Sequence, residues 1–133
     1  MSKPLDALKA KMADVNALDA ASAIMGWDQQ TYMPSGGAEA RGAHVGILSR
    51  MRHEIFTSDE VGSLIKSAAP ESEEDRAYLR VVSRDFDQST KIPSSLVEEM
   101  ARLSTEGHEK WVEARRDNRF DLFAPVLERV VDL

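Results

Sequence analysis

The chain has 133 residues, 17 basic and 23 acidic side chains, and a formal charge of −6. A mildly acidic balance gives no attraction to nucleic acid or to anionic lipid. With no cysteine, disulfides, thiol catalysis and thiolate metal sites are excluded.

Apolar residues make up 42% of the chain and charged residues 30%, with seven glycines and five prolines. These values fit a folded domain with its own core and argue against disorder. The densest basic spot, Arg115–Arg116 followed by Arg119, is flanked by acids. No stretch approaches the roughly 20 apolar residues of a membrane span. The opening residues show no charged leader followed by an apolar run, so no signal peptide is expected and the cytoplasm is the default location.

The first predicted helix covers 5–25. Leu5, Leu8, Met12, Val15, Leu18, Ser22 and Met25 recur at spacings of three and four, the stripe of an amphipathic helix. The run from Trp27 to Gly37 breaks that pattern. Pro34 biases Met33 away from helix, and Gly36–Gly37 offer turn freedom, so 27–37 reads as a loop. A second helix is expected over 38–56, with Ala40, Val45 or His44, Leu48, Met51 and Ile55 inward. Thr57 and Glu60 match a capping box for a short third helix at about 58–68.

Ser72 and the acids Glu73, Glu74 and Asp75 mark the start of a fourth helix over about 73–89, with Tyr78, Leu79, Val82 and Phe86 inward. A fifth helix starts at 93–95, with Ser95 and Glu98 spaced as a capping box, and runs to about 116. Leu96, Met100, Leu103, Gly107, Trp111 and Ala114 share one side, and Glu98–Arg102 and Glu106–Lys110 are spaced as solvent-side pairs. A sixth helix begins near Leu122, with Phe123, Leu127 and Val130 inward. Its apolar pattern continues to Leu133 without a stop residue, which suggests a helix still running there. No segment alternates with period two, so the expected fold is all-α: an antiparallel array of about six helices with short turns.

The search for chemistry starts with the three histidines, His44, His53 and His108. Two precede a glutamate. A zincin helix needs a second histidine four places after the first, so that both imidazoles share a face. Thr57 and Val112 occupy those places. Surface or boundary histidines are therefore expected, and no residue of the chain is assigned as a metal ligand, a cofactor ligand or a catalytic group. Nucleophile-elbow and phosphate-loop patterns are absent. The many carboxylates read as solvated faces and helix caps.

The richest local feature is the run holding Trp27, Asp28, Gln29, Gln30 and Tyr32. Two readings stand side by side. The loop edges a substrate groove or acts as a hinge, or Trp27 anchors the connection while Asp28 bonds backbone amides. Trp111 is expected as a core or interdomain anchor.

The run Gly26-Trp27-Asp28-Gln29-Gln30-Thr31-Tyr32-Met33-Pro34 resembles the signature near the amino end of the carboxypeptidase Taq (M32) family of metallocarboxypeptidases. The likeness continues through Gly36–Gly42, Leu48-Ser49-Arg50, His53–Ser58, Lys91-Ile92-Pro93, Trp111–Arg115 and Phe120–Leu127. Ser35 stands where proline is expected in many relatives. The resemblance implies a protein several times longer, mostly helical and zincin-like, whose two halves enclose a substrate groove. It implies a zinc or cobalt site on a His-Glu-x-x-His helix beyond residue 133, with the motif's glutamate as general base. Residues 1–133 are then an amino-terminal helical domain, cut before the catalytic region, non-catalytic alone, and forming or bordering the groove. The implied partners are peptide substrates, the remainder of the same polypeptide and a possible homodimer, without nucleic acid or membrane. Apolar faces left uncovered should favour self-association. The alternative is a stand-alone helical protein-interaction domain.

Overall fold

The computed structural model describes residues 3–133, and every element in it is helical. Helix α1 spans Lys3–Thr31, α2 Ala38–Phe56, α3 Asp59–Ser67, α4 Glu73–Ser89, α5 Ser94–Asp117 and α6 Ala124–Val131. Single 3-10 turns at Ser35–Gly37 and Phe120–Leu122 introduce α2 and α6. The expected bounds of α2 and α4 agree with this.

Helix α2 is the central element. It packs on α1 along one side and most extensively on α5 along the other. The hydrophobic core lies at one end of this stack, where the first half of α1 meets the end of α2 and the α3–α4 pair. Leu8, Met12, Val15, Phe56, Val61 and Val82 form it, with Tyr78, Leu79 and Phe86 half-buried around them. Phe56 and Phe86 meet edge-on, ring centres 6.1 Å apart. Ion pairs tie the same elements at the rim: Lys9 to Asp75 and Lys11 to Glu60.

The α2–α5 contact has a different character. The α2 face that is buried is Gly42, Gly46, His53 and Phe56, not the expected stripe of larger residues. Ala40, His44 and Met51 are exposed, and Val45, Leu48 and Ile55 are half-buried. A methyl group built on Gly42 would come 3.3 Å from the Arg102 carbonyl oxygen, and one on Gly46 3.1 Å from that of Glu98. Small residues one turn apart let the two backbones approach, and hydrophobicity does not mark such a face. On α5 the buried residues are Leu103, Thr105, Gly107 and Ala114, whereas Met100 and Trp111 are about half exposed.

Several local expectations are corrected. Helix α1 continues six residues past Met25, because nothing in 26–31 opposes helix: Gly26 sits in it at negative φ, and Pro34 stops it only from Tyr32 onward. Ser58, not Thr57, caps α3 by accepting from the Val61 amide, while the Thr57 hydroxyl donates back to the His53 carbonyl. Ser72 caps α4 as expected, accepting from the Asp75 amide at 3.0 Å. The expected Ser95–Glu98 box does not form: Pro93 is the N-cap of α5, and Glu98 reaches Arg50 of α2 at 2.7 Å. Arg102 pairs with Glu99, Lys110 with Glu113, and Glu106 with Arg129 of α6, in place of the two expected i,i+4 pairs. Asn118 ends α5 in the left-handed region, φ 52°, the one non-glycine residue there among those described. Helix α6 ends at Val131, and its Leu127 and Val130 face outward; Val126 meets α5 at Gly107, beside the Arg129–Glu106 pair.

Candidate functional site

The last turn of α1 enters a corner made with the start of α2. Trp27, Asp28, Gln29 and Gln30 are helical, so the expected loop is limited to Tyr32–Pro34 and the 3-10 turn behind it. The helix ends by a shared acceptor: the amides of Tyr32 and Met33 both donate to the Asp28 carbonyl at 2.9 Å. The Met33 side chain then lies under Gly37, where a methyl group would meet it at 3.1 Å. Neither Gly36 nor Gly37 adopts a positive φ, so the turn does not draw on left-handed freedom; Gly37 instead lies in close contact with the Met33 side chain.

Arg41 holds this corner from α2. Its guanidinium donates to the Met25 carbonyl at 2.6 Å and to the Asp28 carboxylate at 2.5 Å. A planar fork suits this double contact, which a lysine could not reproduce. The expected role of Asp28 as a partner of backbone amides is thus corrected: its carboxylate serves Arg41. Gln29 reaches the other way and donates a long hydrogen bond, 3.4 Å, to the Thr105 carbonyl of α5. Trp27 and Tyr32 are left on the outside, 60% and 76% exposed, with ring centres 5.5 Å apart. Gln30 is exposed.

Beside the corner lies an open concavity of about 640 Å³ between the start of α2, α5 and α6. Its wall carries Glu39, Glu106, Glu109 and Glu113 against Lys110, Arg116 and Arg129. Most of these charges are matched: Lys110 with Glu113, Arg129 with Glu106, and Arg116 with Asp117. Such a wall offers polar contacts to a passing chain but neither a nucleophile nor a base held against one.

The histidines are dispersed. His44 is exposed on α2, and His108 stands on α5 beside the Trp111 ring. His53 is not a surface or boundary residue. It is 6% exposed, and its Nε2 donates to the Ile92 carbonyl at 2.8 Å, fastening α2 to the turn before α5. Among the described residues no three of His, Asp and Glu lie together in a way that could hold a metal ion. No described helix is long and apolar enough to cross a membrane.

Arg41, Thr105 and the glycine pair 42/46 were not singled out by sequence reasoning as parts of this corner. The Gly-x-x-x-Gly spacing was the available signal for the helix crossing; nothing in the sequence pointed from Asp28 to Arg41.

Residues 7–133 match the model of the carboxypeptidase Taq (M32) metallopeptidase family. The chain belongs to that family. It is 30% identical over 116 residues to carboxypeptidase 1 of Bacillus subtilis, covering 84% of this chain and 23% of that protein. It is 27% identical over 127 residues to thermostable carboxypeptidase 1 of Pyrococcus furiosus, covering 93% and 26%. Two solved structures share the fold: one described as "The Structure of CHT", with TM-score 0.67 and 34% identity over 98% of this chain and 27% of that one, and "Structure of Pyrococcus furiosus Carboxypeptidase Apo-Mg", with TM-score 0.71 and 24% identity over 99% and 27%. The M32 chain thus spans about a quarter of the length of the relatives it matches. It corresponds to an amino-terminal portion of an M32 carboxypeptidase and carries no metal-binding cluster among its described residues.

Proposed function

We propose that this chain is a non-catalytic helical wall of a metal-dependent carboxypeptidase that releases C-terminal amino acids from peptides. The observation that carries the reading is the family match over 7–133 in a chain whose three histidines stand apart. The zinc or cobalt that the family implies does not fit the side chains present: His53 is engaged by a backbone carbonyl, and His44 and His108 have no partner ligands beside them. The chain's own contribution is shape. The corner at 25–32 stands at the edge of the groove, with the Trp27 and Tyr32 rings exposed on its outer side. Of the readings open for this run, a structural anchor, a groove edge or a hinge, the hinge has the least support, since Arg41 and Gln29 tie the run to both neighbouring helices.

Expression of the reading frame that encodes this chain, through to its own stop codon, tests the proposal. With zinc or cobalt added, the product should release C-terminal residues from peptides, and the purified 133-residue chain should release none. Turnover by the short chain overturns the non-catalytic assignment. Hydrogen exchange over 25–32 in the longer protein should stay slow with and without inhibitor, and Arg41→Leu should speed it.

A further inference from the structure

The end of α5 and the turn after it form a second feature that the groove reading does not use. Trp111, Ala114, Arg115, Asn118, Phe120 and Phe123 surround a concavity of about 240 Å³. Phe120 is 65% exposed and Trp111 47%, and Phe123 packs on Phe120 with ring centres 6.3 Å apart. The left-handed Asn118 makes the turn that brings the 120–123 rings back towards the last turns of α5.

Three arginines stand here, and two are already matched. Arg116 binds Asp117 at 2.8 Å and Arg119 binds Asp121 at 2.5 Å. Arg115 makes no ion pair or hydrogen bond among the described residues. Yet Arg115 lies one turn after Trp111 on the same face. Burying the rings against a purely apolar surface would strand that guanidinium, at a cost far above the gain from a surface pair. A matching surface therefore needs acceptors for that guanidinium, and a carboxylate supplies them while also balancing its charge. Arginine beside tryptophan, fully desolvated and paired, is also the composition typical of interface anchors.

We propose that this face is a docking surface between the chain and the remaining three-quarters of an M32 polypeptide, and that the docked segment presents an Asp or Glu carboxylate to Arg115 between apolar side chains that cover Trp111 and Phe120. The proposal rests on the chain being part of a longer M32 protein. It differs from the patch at Trp27 and Tyr32, where the nearby arginine, Arg41, is already matched within the chain.

The test uses the reading frame expressed to its own stop codon, with the Trp111 signal read by difference against the Trp111→Phe variant. Acrylamide quenching of Trp111 should fall several-fold from the 133-residue chain to the longer protein. In the longer protein Arg115→Met should lower the melting temperature by several degrees, while Arg116→Met, whose partner is its neighbour in sequence, should leave it nearly unchanged. Should the short chain not fold, that arginine comparison decides alone. Active carboxypeptidase with Trp111 still fully quenched, or with equal effects of the two arginine variants, overturns the docking and leaves the groove reading standing. A frame that stops after Leu133 overturns both. Trp111 protection in the short chain that rises with protein concentration assigns the face to a second copy and overturns the proposal.

Discussion

Gly46 of α2 faces the Glu98 carbonyl of α5 so closely that a methyl group on it would sit 3.1 Å from that oxygen. The neighbour is helical backbone, which cannot swing aside as a side-chain tip would. Alanine would normally stabilise a helix interior by about 1 kcal/mol over glycine, but overpacking costs about 1–3 kcal/mol. The second effect wins here. Gly46→Ala is expected to lower stability by about 1 kcal/mol in urea unfolding. Gly26→Ala is the control: nothing lies within 4 Å of its added methyl, so it should stabilise by about 0.5–1 kcal/mol. A gain from both variants would contradict the close crossing.

The Gly46 contact also explains what could be read from the residues in advance. Helix number, most bounds and the Ser72 cap follow from local rules, since 3.6-residue periodicity and capping chemistry act within a few residues. The faces of α2 and α5 do not. A helix packed on two sides has no single apolar stripe, and glycines that permit close approach score as neither inside nor outside. Met100 and Trp111 read as inward because they are large and apolar, yet both remain half exposed in a chain that spans a quarter of its relatives. The corner was legible as a place, from Trp27 to Pro34, but not as a mechanism. Arg41 lies 13 residues from Asp28, and no local pattern joins them.

His53 should matter for stability and not for metal content. Its ring is buried and fastens α2 to the Ile92 carbonyl at 2.8 Å. His53→Ala removes that hydrogen bond and leaves a cavity, for an expected loss of about 2–4 kcal/mol. His44→Ala, on the exposed side of the same helix, should change stability by less than about 0.5 kcal/mol. Elemental analysis of the parent chain and both variants should find no stoichiometric zinc. Bound zinc that disappears with His53→Ala would instead make this histidine a ligand.

The Lys9–Asp75 pair gives the fold a defined acid response. The Lys9 ammonium, helped by the Glu71 amide and the Ser72 hydroxyl, holds the Asp75 carboxyl below the usual carboxylate range, against the opposing effect of desolvation. A group with a depressed folded pKa contributes stability that is present above its unfolded value near 3.8 and is lost as the pH falls through the folded value. Melting temperature should therefore fall as the pH drops below about 4. Lys9→Met should flatten part of that fall, and 1 M salt should do the same, because the pair is on the surface. An acid limb unchanged by Lys9→Met would show that other carboxylates set it.

Tyr78 carries a hydroxyl that is shielded from water and has no hydrogen-bond partner. An unsatisfied buried polar group costs about 1–3 kcal/mol. Phenylalanine keeps the ring, and with it the Lys9 ammonium 5.7 Å from the ring centre. Tyr78→Phe should thus stabilise the chain by about 1 kcal/mol, seen as a higher urea midpoint with an unchanged slope. Burial also raises the phenol above its ordinary value near 10, while Lys9 pulls it partly back. The folded state disfavours the phenolate, so stability is full below the unfolded value and declines as the pH rises through the folded one. The Tyr78→Phe protein should therefore lose less stability between about pH 9 and 11 than the parent. A destabilised variant with the same alkaline decline would mean that the hydroxyl has a partner in solution, such as a bridging water, and that its burial carries no penalty.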